Sequence, residues 1–401
     1  MLVLAVNVLH ISESDRAGGA ARAAWKLHRD LRSRGHVSRM LVGRKQSADR
    51  DVRSVKRGNG WRAADRLAGE ALDRLGLQYV FYPSSFAVAR DPWFRAADVV
   101  QLHNLHGSYF SYSALPLLSR RKPVVWLLHD MWAFTGHIAY SLDCERWRHG
   151  CGSCPYLHEY PALPRDTTAA LWRWKRAVYA RSRLTLVTPS RWLASLVRES
   201  PLLGRFPVRH IPYAVDTEAF APGDRAAARR ALDLPPERPI VLFVASDVAD
   251  PRKGFHALEQ AVRGLGEPPL VVVAGAGEVP SGIETRGLAE LADGRLADAY
   301  RAADVVALPS LADNFPNVAI EALACGRPVV ARPAGGIGEA VRHLETGWLG
   351  ADLAAGLREL LADGELRERL GRTGREVAER EYGLSLQTDR YLELYAELAG
   401  G

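Results

Sequence analysis

Apolar residues along this chain fall into two alternating kinds of stretch. Short continuous apolar runs occur at Met1–His10, Val37–Val42, Val99–Leu102, Val124–Leu128 and Leu184–Val187, and each ends in a polar cluster. Such runs predict strands buried on both faces, the usual pattern in parallel sheets. Gly18–Gly19 breaks the first run, and Ala20–Ser33 then puts Ala21, Ala24, Trp25, His28 and Leu31 near one face of a helix. The rhythm restarts further on. Ile240–Ala245, Leu270–Ala274, Val305–Leu308 and Pro328–Ala331 read as strands, Lys253–Leu265 and Val318–Ala324 as helices, and Leu353–Leu398 as two or three amphipathic helices. Strands alternating with helical patterns predict a parallel sheet with crossover helices.

Two stretches interrupt the alternation. Residues 131–167 hold aromatics, three cysteines and several prolines, and read as a long inserted loop. Pro201–Asp216 carries Pro201, Pro207 and Pro212 and reads as a linker. The expected organisation is an α/β protein of two doubly wound, Rossmann-like domains facing a central cleft. Residues 1–200 form the first, with the cysteine-rich insert at 136–161. Residues 201–216 link it to a second at 217–375, and 376–401 form a terminal helix that packs back on the first domain. In such sheets ligands sit at the carboxyl ends of the strands.

A length of 401 residues suits two such domains, and 47% hydrophobic with 25% charged residues is ordinary globular composition. No run approaches a membrane span, and the apolar start, lacking a basic leader, reads as a buried strand. Four cysteines do not make a secreted disulfide framework, so the cytoplasm is the expected compartment. Charge is uneven. Residues 1–200 carry 31 basic against 16 acidic residues (+15), and residues 201–401 carry 22 against 30 (−8). A basic half favours phosphate-rich ligands or anionic membranes. Arg120-Arg121-Lys122 and Trp172-Arg173-Trp174-Lys175-Arg176 suit contact with an anionic membrane face or a lipid-diphosphate carrier; the plainer reading is a solvated helix face with tryptophans in the core. Nucleic acid is not expected as a partner, because no recognition module is visible.

Three local patterns carry candidate chemistry. Gly18–Gly19 stands between a strand and a helix, where the backbone amides can meet a phosphate, although an ordinary tight turn reads the same way. Arg252-Lys253-Gly254 puts two cations between a strand and a helix, where they can clamp a diphosphate or form a solvated basic turn. Asp313-Asn314-Phe315-Pro316-Asn317-Val318-Ala319-Ile320-Glu321 sets two carboxylates around a helix start, suited to sugar hydroxyls and a ribose diol. The alternative makes Asp313 a helix cap and Glu321 a surface residue.

The stretch Pro309–Val341, PSLADNFPNVAIEALACGRPVVARPAGGIGEAV, closely resembles the signature of the family 4 retaining glycosyltransferases of GT-B fold. Further matches come in the family's order: Gly18–Gly19, His129-Asp130, Thr188-Pro189-Ser190, Pro212–Asp216, Arg252-Lys253-Gly254, Ala274–Glu278 and Ala302–Val305. The resemblance implies a nucleotide-sugar donor, UDP- or GDP-linked, and an acceptor that is a polysaccharide or lipid-linked intermediate or a small natural product. By position it implies that Glu321 holds the donor ribose, Asp313 contacts donor-sugar hydroxyls, Lys253 contacts the diphosphate near Gly18 and Gly19, and His129 touches the transferred sugar. Ser190, Arg252, Gly277, Phe315, Asn317 and Val318 complete the donor site. It also implies retention of configuration and no metal in the chemistry; the basic first half adds peripheral contact at the inner membrane face to the cytoplasmic expectation. The sequence departs from the family pattern twice. Asp313 stands where Glu is usual, and Ser246–Pro251 lacks the usual Arg, whose guanidinium is either missing or supplied by Arg252. Rival readings are a nucleotide-sugar epimerase and a non-catalytic scaffold of the same fold.

The insert resembles a cysteine-rich loop of a subset linked to exopolysaccharide assembly. Cys144, Cys151 and Cys154 with His149 make one candidate structural zinc site; free thiols and a Cys151–Cys154 disulfide are the other readings. Cys325, in the motif helix, reads as core.

Overall fold

The computed structural model describes residues 5–56, 58–278, 282–289 and 291–400. The first four residues of the expected strand Met1–His10, and the last residue of the expected terminal segment, lie outside the described residues. The chain divides into two compact units, one of residues 1–211 with 387–401 and one of residues 212–386.

The first unit is built on seven strands: β1 (Asn7–Ser14), β2 (Val37–Arg44), β3 (Val52–Ser54), β4 (Val99–Leu102), β5 (Val124–Leu127), β6 (Thr185–Thr188) and β7 (Val208–His210). They form one sheet in the order β3-β2-β1-β4-β5-β6-β7. Every pairing is parallel, with Val8 opposite Val37's neighbour Ser38 on one side and Val99 on the other. The apolar runs read from the sequence are its central strands. Leu9, Ile11, Val100, Leu102, Trp126 and Leu186 form its core, each burial contributing about 1.5–3 kcal/mol before conformational entropy is subtracted. The helix after β1 spans Gly18–Ser33 and buries Ala21, Ala24, Leu27, His28 and Leu31. Trp25 is half-buried instead, under the Arg16 guanidinium at 4.0 Å.

Two expectations change here. The stretch 201–216 is not all linker: Val208–His210 pairs with β6, and the unit boundary falls at Ile211 and Pro212. Its prolines lie outside that three-residue strand, which can therefore donate to the ladder. The basic cluster at 172–176 also divides. Arg173, Trp174 and Arg176 are exposed, but Lys175 is 1% exposed and donates to Trp132 O at 2.5 Å and Thr135 O at 3.1 Å. It pins the start of the 131–167 stretch, whose only helical element is the short turn Arg146–Arg148.

The second unit has six strands: β8 (Ile240–Asp247), β9 (Leu270–Ala276), β10 (Thr285–Leu288), β11 (Val305–Leu308), β12 (Val329–Ala331) and β13 (Gly347–Leu349). Their order is β10-β9-β8-β11-β12-β13, all parallel. Val241, Phe243, Val271, Val273, Val305, Ala307 and Val330 fill its core. Asp304, just before β11, ties the sheet together by accepting from Ile240 N at 2.8 Å and from Arg225 and Arg229 at 2.6 and 2.8 Å. Three helices follow at Leu353–Ala362, Gly364–Tyr382 and Leu384–Ala399. The last one, from Gln387 onward, belongs to the first unit, where Tyr395 Oη donates to Gln101 Oε1 at 3.0 Å. In both sheets the strand order reverses beside the first strand of the unit, at β1/β4 and at β8/β11, which is where ligands of doubly wound sheets bind.

Candidate functional site

In the second unit, β8 and β11 are neighbours, and the segments leaving their carboxyl ends carry the candidate residues. After β8 the chain makes a short 3-10 turn, Pro251–Lys253, started by Asp250, whose side chain accepts from Arg252 N. The helix expected from Lys253 begins only at Phe255. Gly254 separates the two with φ 76°, and a Cβ there would stand 2.2 Å from Pro309 O. That close approach of backbones, possible only at glycine, seats Lys253 beside the loop that leaves β11. Leu311 N donates to Arg252 O at 2.8 Å and closes the join.

Lys253 Nζ donates to Asp313 Oδ2 at 2.8 Å. Arg252 turns to the loop itself: its guanidinium donates to Ala312 O at 2.8 Å and to Asp250 Oδ2 at 2.9 Å, and stands 3.8 Å from Asp313 Oδ2. Here Arg252 braces the Asp313 loop. An ammonium has three N–H donors, and the Lys253 side chain remains 22% exposed, so the pair with Asp313 leaves it within reach of a ligand. Gly335 braces the same loop from the other side; its Cβ would lie 1.9 Å from Asp313 O, and Gly336 N donates to that oxygen at 3.1 Å.

The helix Asn317–Ala324 starts at Pro316 with no side-chain cap. Asp313 is therefore no helix cap, and the first-turn amides of this helix receive no side-chain oxygen from their cap residue. Asn317 and Val318 are half-buried at its start. Phe315 is buried, edge to face with Tyr382 at 5.4 Å and Tyr213 at 6.2 Å. Glu321 is no surface residue either: it is 2% exposed, and Tyr300 Oη donates to its Oε2 at 2.9 Å. Tyr300, on the helix Asp293–Ala302, is a residue that sequence reading missed; its partner is 21 positions away and no motif links them. Gly277, φ 90°, closes the turn after β9, its Cβ position 3.2 Å from Asp247 Oδ1. Cys325 is core as expected, its thiol pushed up to about 12 by burial.

In the first unit, Gly18 has φ 84° and begins the helix after β1; Ser14 Oγ accepts from Arg16 N and Ala17 N just before it. Ser190 caps the helix Arg191–Glu199, its Oγ accepting from Leu193 N at 3.0 Å. His129 follows β5, is buried, and has Nε2 3.3 Å from His103 Nδ1. Burial holds its pKa down at about 3, so it is neutral. Next to it, Asp130 Oδ2 is 2.9 Å from His106 Nε2, and His106 Nδ1 is 3.1 Å from Tyr160 Oη.

The cysteine-rich loop differs from expectation. Cys144, Cys151 and Cys154 line one cavity with His137, and His149 is absent from its wall. His149 instead ends the turn Arg146–Arg148, with its N–H on Arg146 O. His137 Nδ1 is 2.8 Å from Pro161 O and its Nε2 is 3.4 Å from Cys154 Sγ. All four cysteines of the chain are free, which sets aside the Cys151–Cys154 disulfide. The expected set of Cys144, Cys151, Cys154 and His149 is not brought together as a group; His137 stands with the three cysteines instead.

Comparison with known proteins gives the family. Residues 17–219 match the family model Glycosyltransferase Family 4, and residues 224–377 match Glycosyl transferases group 1. The chain is 27% identical to WcaC of Escherichia coli K12, described as a colanic acid biosynthesis glycosyl transferase, over 81% of this chain and 83% of that protein. It is 33% identical to the D-inositol 3-phosphate glycosyltransferase of Streptomyces bingchenggensis, over 73% of this chain and 71% of that one. The fold matches Anabaena HepE in complex with UDP and glucose, with TM-score 0.70, 17% identity, and 98% and 99% of the two chains covered. Matched by these models over residues 17–219 and 224–377 and built of two parallel-sheet units of GT-B type, the chain belongs to glycosyltransferase family 4.

Proposed function

We propose that this protein is a retaining glycosyltransferase that takes a UDP- or GDP-linked sugar and needs no metal for the transfer. The observation that carries this reading is the Lys253–Asp313 pair at the carboxyl ends of β8 and β11, with buried Glu321 on the helix beyond it. Lys253 and the amides at the start of the Asn317–Ala324 helix meet the diphosphate, whose charge grows as the sugar departs. Glu321, oriented by Tyr300, accepts from the ribose hydroxyls. Asp313 contacts hydroxyls of the donor sugar, and His129 touches that sugar near its reacting carbon. The bond from the anomeric carbon to the phosphate oxygen breaks and one to the acceptor oxygen forms on the same face. The acceptor's proton goes to the departing phosphate, so no side chain has to become a covalent nucleophile.

The acceptor in this reading is a polysaccharide or lipid-linked intermediate. Supporting it are the likeness to WcaC and the +15 charge of residues 1–200, which favours an anionic carrier. The same reading puts the protein in the cytoplasm, at the inner membrane face, touching it through exposed groups such as Arg120, Arg173 and Trp174. No helix among the described residues is long and apolar enough to cross a membrane. The test is a panel of UDP- and GDP-sugars incubated with purified protein. Release of free nucleotide from one of them, slowly without acceptor, is expected. No release from any, with no thermal shift on adding UDP or GDP, would leave a scaffold; conversion of the sugar without release would make it an epimerase.

A further inference from the structure

Ten large hydrophobic side chains are exposed among the described residues, and five of them gather in one region of the first unit. They are Trp61, Leu67, Leu75, Phe81 and Trp174, each between 41 and 64% exposed. Packing joins the elements that carry them. The helix Gly58–Arg74, which ends at Leu75, lies on the short helix Pro83–Ala87. Gly69 makes the close approach, since a Cβ there would stand 2.9 Å from Tyr82 Cε1. Asp65 accepts from Ser84 N at 3.0 Å and from Ser84 Oγ at 2.5 Å. Phe81, next to Tyr82, has its ring 5.5 Å from that of Phe86. Val80 O accepts from Ser113 Oγ at 2.6 Å, and Trp174 Nε1 donates to the same hydroxyl at 2.9 Å. Exposed apolar residues scattered singly need no explanation, but a group of five does.

The helix Gly58–Arg74 has two unlike sides. At 3.6 residues per turn, Asp65, Gly69 and Leu72 share one of them, and these are buried or half-buried. Leu67, Ala71 and Arg74 share the opposite side, and all three are exposed. Arg62 and Arg66 are exposed as well. Of the acids on this helix only Glu70 is exposed, because Asp65 is buried and Asp73 half-buried. Apolar side chains set among guanidinium groups on a helix lying along the surface suit the boundary of an anionic bilayer. A second copy of the chain suits them poorly. A two-fold pair sets a patch against itself, and three arginines would then face their own copies with one glutamate to offset them. A layer of anionic headgroups answers all three, while Leu67, Leu75 and Phe81 enter the acyl boundary and the indoles of Trp61 and Trp174 sit at headgroup level.

We propose that the outer side of the helix Gly58–Arg74, with Phe81 and Trp174 beside it, is the surface by which this protein docks on an anionic bilayer. The inference deepens the reading of a protein at the inner membrane face and rests on it. It makes this helix the main contact and Arg120 a minor one. Docking confines the first unit to the plane in which a lipid-linked acceptor lies, which raises the effective concentration of that acceptor without any new contact to it.

The test is co-sedimentation of the full chain with vesicles of mixed phosphatidylglycerol and phosphatidylcholine, compared with vesicles of phosphatidylcholine alone. The wild type is expected to bind the anionic vesicles and to come off as salt is raised. Arg62→Gln with Arg66→Gln should weaken that binding roughly 25-fold, about 5-fold for each arginine near the surface. Leu67→Gln with Phe81→Gln should weaken it at least about 10-fold. Both double variants should keep the wild-type Tm and affinity for UDP or GDP. Wild-type binding by a folded Leu67→Gln, Phe81→Gln protein overturns the proposal; if Arg120→Gln with Arg173→Gln then abolishes binding, the inner-face reading stands without this helix. Equal binding to both kinds of vesicle overturns the part given to the arginines. No binding by the wild type overturns this proposal and the inner-face reading together, and a dimer that Leu67→Gln dissociates would then make the patch a contact between copies. Nucleotide release from a sugar donor tests the transferase independently of all these outcomes.

Discussion

At the strand ends of the first unit the polar groups are imidazoles kept neutral by burial; in the second they are an ammonium and a carboxylate 2.8 Å apart. Topology does not explain the contrast, since both sheets are parallel and both reverse order beside their first strand. The side chains set there do. Neutral donors orient a ligand without carrying charge, whereas a partly exposed cation beside helix amides without a side-chain cap stabilises charge as it develops. Each unit can be challenged separately.

The largest effect should come from the charged unit. Lys253→Ala is expected to lower turnover by at least about 100-fold, the usual loss for one transition-state charge contact; near-wild-type rates would remove the diphosphate role. Glu321→Gln should come next, weakening UDP or GDP binding by roughly 10- to 100-fold, since a hydrogen bond to a charged group is worth about 1.5–3 kcal/mol. Tyr300→Phe removes only the orienting hydroxyl and should cost about 3- to 10-fold. Titration calorimetry ranks the two, and a Tyr300 effect as large as that of Glu321 would mean that Tyr300 itself meets the nucleotide.

Acid should separate the units. His10, His28, His103 and His129 all have native pKa values below the unfolded value, His28 at about 4 and His129 at about 3. Below about pH 6.5 the unfolded chain therefore binds more protons than the native one, and stability falls as pH drops through that window. The second unit has acids such as Glu259, held below its ordinary value by the Gly282 N–H; its loss comes only below about pH 4.5. Hydrogen exchange at about pH 5 should show β1, β4 and β5 losing protection before β8 and β11. Equal loss in both would mean that the buried imidazoles do not govern the first unit. The smallest effect concerns Lys175, whose pKa burial lowers to about 7. Between that value and about 10.5 the unfolded chain holds a proton that the native chain has released, so stability rises with pH. The stability difference between wild type and Lys175→Met should shift in favour of wild type over that range, and a flat difference would show Lys175 to be charged throughout.

What could be read from the sequence follows from the range over which each signal acts. Continuous apolar runs mark the central strands, because burial on both faces removes polar alternation. Short strands such as Thr285–Leu288 and Val208–His210 carry no such run, and only pairing with a neighbour makes them strands. The carboxylates Asp313 and Glu321 are legible because they lie in one local motif. The break between Lys253 and its helix depends on Pro309 O, 55 residues further on in numbering, pressing on Gly254. A buried row of histidines is hidden for the same reason. A lone histidine in an apolar strand reads as core, and only the order β1-β4-β5 brings residues 10, 103 and 129 together. His137 rather than His149 faces the cysteines because the chain turns at Arg146–Arg148, which the C-x6-C-x2-C spacing does not encode.

A crystal soaked with UDP or GDP examines the charged unit without any assumption about acceptor or rate. The diphosphate should lie within hydrogen-bond distance of Lys253 Nζ, with both ribose hydroxyls on the Glu321 carboxylate. A nucleotide bound elsewhere on the protein, away from both side chains, would contradict the reading.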